Sequence, residues 1–170
     1  MKANSETWIK IAAELERMEE DCSHSGKSQF NAGSRWSIWN YVFGIPSVIL
    51  SAIAGAAFFK QYTDAAGAMS SIVTILTALM TFLKPSERAA RHKKSGDQYL
   101  SLRNDARVYR EIVLPNIEEL DTAIAAMKGF TKRRDELNQS SPQFSDGDRR
   151  KARRSIEIGD ALHIVDKREN

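Results

Sequence analysis

Two stretches without a single Asp, Glu, Lys or Arg, residues 36–59 and 65–83, constrain this chain more than any other feature. Elsewhere about every third residue is charged, so the mean hydropathy of −0.43 averages two unlike populations. A hydrocarbon layer of roughly 30 Å needs about 20 apolar residues at 1.5 Å each. As helices, residues 38–59 rise about 33 Å and residues 65–83 about 28 Å. The link between them, "KQYTD" at 60–64, is short enough to force an antiparallel pair. A helical hairpin buried in a soluble bundle would carry charges on its exposed face, and neither stretch has any. The expectation is an all-α membrane protein: a two-helix transmembrane hairpin with long cytosolic helices packing as a stalk or bundle.

Orientation follows from the cations. Arg17, Lys27 and Arg35 precede the first span, and Lys84, Arg88, Arg91, Lys93 and Lys94 follow the second. The loop carries only Lys60, offset by Asp64. Basic residues stay on the cytosolic side, which places both termini there. Trp36, Trp39 and Tyr41 at one boundary, and Phe58, Phe59 and Tyr62 at the other, suit the interfacial depth that amphipathic rings prefer.

Small and polar residues form stripes within the spans. Asn40, Gly44, Ser47, Ser51 and Ala54 recur at helical spacing in the first, and Ser47, Ser51 and Gly55 form a small-xxx-small ladder. Gly67, Ser70, Thr74, Thr77 and Thr81 do so in the second. Two readings fit: close helix packing with hydroxyls bonded to their own i−4 carbonyls, or the lining of a water path in an oligomer. Asn40, Gly44, Ser47, Ser51 and Gly55 are the candidate packing residues; Ser70, Thr74, Thr77 and Thr81 are the candidate pore-lining residues. No ionisable group lies in either span, which disfavours a selective transporter or proton relay. Pro46 cannot donate to the carbonyl of Val42 and predicts a kink, fixed or hinged.

Four segments result: a cytosolic helix over 1–35, the hairpin over 36–84, cytosolic helices over 85–138, and a loop with a short basic helix over 139–170. In the first, Ser5 is a candidate N-cap, Trp8, Ile11, Leu15, Met18 and Cys22 make a 3–4 seam, and Gly26 and Gly33 weaken the helix before the membrane. After Pro85, suited to a first helical position, Tyr99, Leu102, Ala106, Tyr109 and Val113 make a second seam. It is a candidate oligomer seam at Tyr99, Leu102, Ala106 and Tyr109, within one chain or between chains. Pro115 interrupts it, and Ile117, Leu120, Ile124 and Met127 resume it, so residues 86–114 and 116–138 read as one bent or two consecutive helices. The cluster of Ser, Pro, Gly and Asp from 140 to 148 marks a loop. A terminal helix is expected over about 148–164. Its "RRKARR" run at 149–154 suits anionic headgroups, the acidic helices, or a solvated face.

Chemistry-bearing motifs are missing. His24, His92 and His163 stand far apart without metal-ligand spacing, and His92 is expected at the membrane interface. "SGKS" at 25–28 has only the tail of a phosphate loop. The lone Cys22 reads as a packing residue, since its acidic neighbours disfavour a thiolate. No enzyme, cofactor or metal is expected. A net charge of +3 is no nucleic-acid signature, and no nucleic-acid partner is expected.

The segment "NYVFGIP" at 40–46 with Ser51 downstream, and the run Ala89, His92, Gly96, Tyr99, Leu102, Arg103 and Arg107 in the pattern AxxHxxxGxxYxxLRxxxR, resemble the SLATT family. That name denotes two-transmembrane effectors associated with nucleotide-second-messenger synthases and SLOG sensor domains. The resemblance covers about residues 5–160. It implies a homo-oligomeric effector of a bacterial anti-phage conflict system in the inner membrane. Such an effector perforates the membrane on activation and kills or arrests the cell, with a separate sensor protein or nucleotide-signal system as trigger. The alternative is a membrane-anchored helical scaffold that recruits a cytosolic partner without a pore.

Overall fold

The computed structural model describes residues 2–159, and among them there are helices and connections but no strand. Five α-helices run in order: α1 (Lys2–Phe59), α2 (Thr63–Leu83), α3 (Pro85–Val108), α4 (Leu120–Ser140) and α5 (Asp146–Glu157). The chain divides into two compact units. The first comprises residues up to Ala32 and from Arg91 onward, and the second Gly33–Ala90.

The core of the first unit is built from the predicted seams. Ile11, Leu15, Met18 and Cys22 of α1 are buried against Tyr99, Leu102 and Ala106 of α3, with Ala123 and Leu137 of α4 closing the third side. Trp8, Tyr109, Leu120, Ile124, Met127 and Phe130 pack round this core, and the rings of Tyr109 and Phe130 lie 5.3 Å apart. Leu15, Met18 and Leu102 are fully buried, each contributing about 1.5–3 kcal/mol of transfer free energy. The seam through Tyr99, Leu102, Ala106 and Tyr109 is therefore consumed within one chain.

Polar links fix the register. Arg110 donates to Glu19 through Nε at 2.7 Å and Nη2 at 3.3 Å. The Tyr99 hydroxyl donates to Asn138 Oδ1 at 2.9 Å. Buried Gln29 lies 2.6 Å from His92 Nδ1 and donates through Nε2 to the carbonyl of Pro142 at 2.8 Å. His92 is thus a buried side chain of the first unit, not an interfacial one.

The helix boundaries correct some local expectations and bear out others. α1 already covers Ser5, which is therefore no N-cap. It stays helical past Gly26 and Gly33 and past Pro46, the site of the expected kink, which helical continuity does not oppose. Packing of its apolar faces outweighs the propensity cost of two glycines. The "SGKS" residues lie inside this helix, where no phosphate-cradling loop exists. Pro85 does start α3. Ahead of Pro115 the α-helix gives way at Val108 to a π-helical turn, Tyr109–Val113, then to a 3₁₀ turn, Leu114–Asn116. Proline clashes with the carbonyl four residues back and donates no hydrogen, so the last turn widens instead of closing. Residues 117–119 connect to α4, giving two helices. α5 starts at Asp146, earlier than expected, because Ser145 caps it. The Ser145 hydroxyl accepts from the Asp148 amide at 3.2 Å, and Asp148 accepts from the Ser145 amide at 3.0 Å. The helix stops at Glu157, where Gly159 takes φ of 85°, open to glycine. Residues 160–164 of the expected helix, His163 among them, lie outside the described residues.

Candidate functional site

The second unit holds both charge-free stretches and the proposed lining and packing residues. α1 ends at Phe59, and the chain turns through Lys60–Tyr62 with Gln61 at φ of 65°. The amide of Tyr62 donates to the Ala57 carbonyl at 2.9 Å, and that of Ala66 to the Tyr62 carbonyl at 3.0 Å. The last carbonyls of α1 are taken up within the turn, Lys60 donating to Ala56 and Ala57 and Gln61 to Phe58. At its other end α2 closes on Lys84, at φ of 45°, whose amide donates to the Met80 carbonyl. Arg88 adds a side-chain cap, Nε donating to the Leu83 carbonyl at 2.8 Å. The Arg88 guanidinium lies 4.8 Å from the centroid of the Trp36 ring, and Arg35 5.6 Å from it. Trp36 thus holds two cations by its π face at the edge of the charge-free stretch.

The two helices touch along a narrow line. Ala54 and Ala66 are the buried pair nearest the turn, and Gly44 faces the Met80 thioether, whose Cε would sit 3.6 Å from a β-carbon at that glycine. Asn40, Gly44 and Ser47 of the packing set are half-buried. Ser51 and Gly55 are exposed, and a β-carbon at Gly55 meets nothing within 4 Å. Steps of four residues rotate about 40° each round a helix, so the ladder from Ser47 walks off the contact line, which Ala54 takes over. Ser51 and Gly55 thus lie outside the line along which α1 and α2 touch.

On α2 the half-buried line is Met69, Val73, Leu76 and Met80, with Ala66 buried. Ser70, Thr74, Thr77 and Thr81 are all exposed, about a quarter-turn away. With Ser51 and Gly55 of α1, Gly67, Ser70 and Thr74 line an open groove of about 640 Å³. It continues into a second of about 670 Å³ beside Thr74, Thr77 and Thr81. The hydroxyls are bonded within their own helices: Ser47 to Phe43, Ser71 to Gly67, Thr74 to Ser70 and Thr81 to Thr77, at 2.7–3.0 Å. Such back-bonded hydroxyls keep acceptor capacity yet need no water, so they tolerate hydrocarbon, a helix or a wet path. Sequence spacing identified the stripe but not which side of the contact line it occupies.

Residues 36–59 and 65–83 contain no Asp, Glu, Lys or Arg, and among the described residues no three His, Cys, Asp or Glu cluster to hold a metal ion. In the first unit Cys22 is buried, and its thiol is pushed up to about 11, first by burial and then by Asp21. A neutral thiol at that position is a packing group. His24 stands alone beside Glu20, at 3.9 Å.

What the second unit exposes is apolar. Ile38, Ile45, Val48 and Ile49 of α1, and Ile72, Ile75 and Phe82 of α2, are each about half exposed or more. In the most apolar 18-residue window of each helix, only 11% and 6% is buried. Two helices long and apolar enough to cross a membrane therefore stand with their apolar surface uncovered, the reverse of a soluble core helix. No family model, curated protein or solved structure matches the chain.

Proposed function

We propose that this chain is an oligomeric effector of a bacterial conflict system in the inner membrane, and that activation opens a pore or disrupts the bilayer and arrests or kills the cell. The carrying observation is the uncovered apolar surface of the two long helices. Lipid covers such a surface without cost, whereas water penalises every exposed Ile, Val and Phe. The hairpin spans the membrane with both termini cytosolic, as the excess of cations outside the 60–64 loop supports. Two helices cannot enclose water alone, so several copies surround the path, with Ser70, Thr74, Thr77 and Thr81 facing it. The SLATT-like residues support the effector role, with a separate sensor or nucleotide-signal system as trigger. The decisive measurement is paired. Carbonate-resistant membrane fractionation tests insertion, and a potential-sensitive dye in expressing cells tests perforation. Recovery in the soluble fraction ends the membrane reading, and insertion without depolarisation or vesicle leakage on activation ends the pore reading.

A second reading, a membrane-anchored scaffold without a pore, is favoured by the hydroxyls of Thr74 and Thr81, which are satisfied inside their own helix. In that case the stripe only packs.

A further inference from the structure

α5 is folded onto the first unit by specific contacts. Asn31 Nδ2 donates to the Asp148 carbonyl at 3.1 Å, and Lys27 Nζ donates to the Ser155 hydroxyl at 2.8 Å. Asp148 and Ala152 are buried on the docked side. The pairing of Asp148 with Asn31 and Ser155 with Lys27 sets α5 antiparallel to α1, its start at the α1 residues just before Ala32. The same level of α1 receives α3: Gln29 meets His92, and Phe30 meets Gly96. Exposed Arg149 and Arg150 of α5 and exposed Arg91, Lys93 and Lys94 of α3 therefore share one end of the unit. Ala32 and Arg91 are the boundary residues through which the chain leaves it there.

We propose that this end is a cationic collar for the anionic headgroups of phospholipids, assembled from two segments more than 50 residues apart in sequence. The occupant follows from chemistry and from chain order. Five basic side chains lie exposed at this level, with Asp146 the exposed acid beside them on α5 and Asp97 on α3, and Arg149 is steadied over the Phe144 ring at 5.5 Å. Along the chain, the docking residue Asn31 precedes the charge-free stretch at Trp36 by only five positions. Cations held near a bilayer surface are drawn to its anionic lipids, an attraction confined to about a Debye length. The surface rests on the membrane reading above and adds a lipid class to it.

The test uses the full chain incorporated into nanodiscs of phosphatidylcholine alone, or of phosphatidylcholine with phosphatidylglycerol, with hydrogen exchange followed at residues 146–157. Exchange of α5 should slow severalfold in the anionic discs, and high salt should reverse this. Arg149→Ala with Arg150→Ala should abolish the lipid dependence, while Arg149→Lys with Arg150→Lys keeps it and controls for folding. Incorporation with equal α5 exchange in both discs overturns the collar and leaves the membrane reading intact. Failure to enter either disc overturns both. Equal slowing in neutral discs by inorganic phosphate or by a single-stranded oligonucleotide would reassign the surface to a soluble anion and overturn the lipid proposal.

Discussion

A β-carbon placed on Gly96 of α3 would lie 2.9 Å from Cε1 and Cζ of the Phe30 ring on α1. Glycine is the residue that lets these helices approach with the ring between them. Gly96→Ala gains about 1 kcal/mol of helix propensity and loses about 1–3 kcal/mol to overpacking. A net fall in stability of about 1 kcal/mol is expected, read by thermal unfolding of the full chain in detergent. Adding Phe30→Leu should recover part of the loss, and an unchanged or higher midpoint for Gly96→Ala would refute the contact.

Cys22 gives a pH signature. Its thiol is ordinary at 9.0 when unfolded and is pushed up to about 11 when folded, first by burial and then by Asp21. The folded state thus prefers the neutral form, and this contribution is fully present below pH 9. It is lost as pH rises from 9 towards 11, at a cost of about 2–3 kcal/mol. The stability difference between the wild type and Cys22→Ala should shift against the wild type across that window. At pH 7 an alkylating reagent should reach the thiol only after unfolding.

The two-pronged contact of Arg110 with Glu19 joins the π-helical turn to α1. Glu19→Gln leaves a half-buried guanidinium with a neutral partner and should cost about 1–2 kcal/mol. In an Arg110→Met background the same change should cost far less. A double-mutant cycle with no coupling would show the pair to be an ordinary surface contact.

For the exposed stripe, Thr74→Leu with Thr77→Leu replaces two hydroxyls by apolar side chains without disturbing the half-buried line of α2. Vesicle leakage by the activated full chain should fall at least about tenfold, as hydrophobic narrowing of a water path favours dewetting. Undiminished activity, with normal membrane incorporation, would favour the scaffold reading.

Much of this architecture was legible from spacing. The seams from Ile11 to Cys22 and from Tyr99 to Ala106 are buried as the 3–4 pattern demands, and Pro115 marks the break between α3 and α4. Local rules failed where a longer-range term opposed them. Gly26 and Gly33, expected only to weaken α1, leave it continuous, because packing outweighs about 1 kcal/mol of propensity per glycine. Ser51 and Gly55 share a sequence ladder with Ser47, yet lie off the contact line, which only the paired helix defines. The docking of α5 through Lys27 and Asn31 left no periodic trace, since it depends on two side-chain hydrogen bonds across more than 100 residues of chain.

The contacts of Gln29 have a direction. Its amide nitrogen is committed to the Pro142 carbonyl, so its oxygen faces His92, and the imidazole Nδ1 must carry the hydrogen that lies between them. One buried amide thereby dictates a tautomer on a neighbouring helix and orients a carbonyl in the connection between α4 and α5. Three segments that are remote in sequence share a single polarised line, and the state of any one of them is written in the hydrogen positions of the other two.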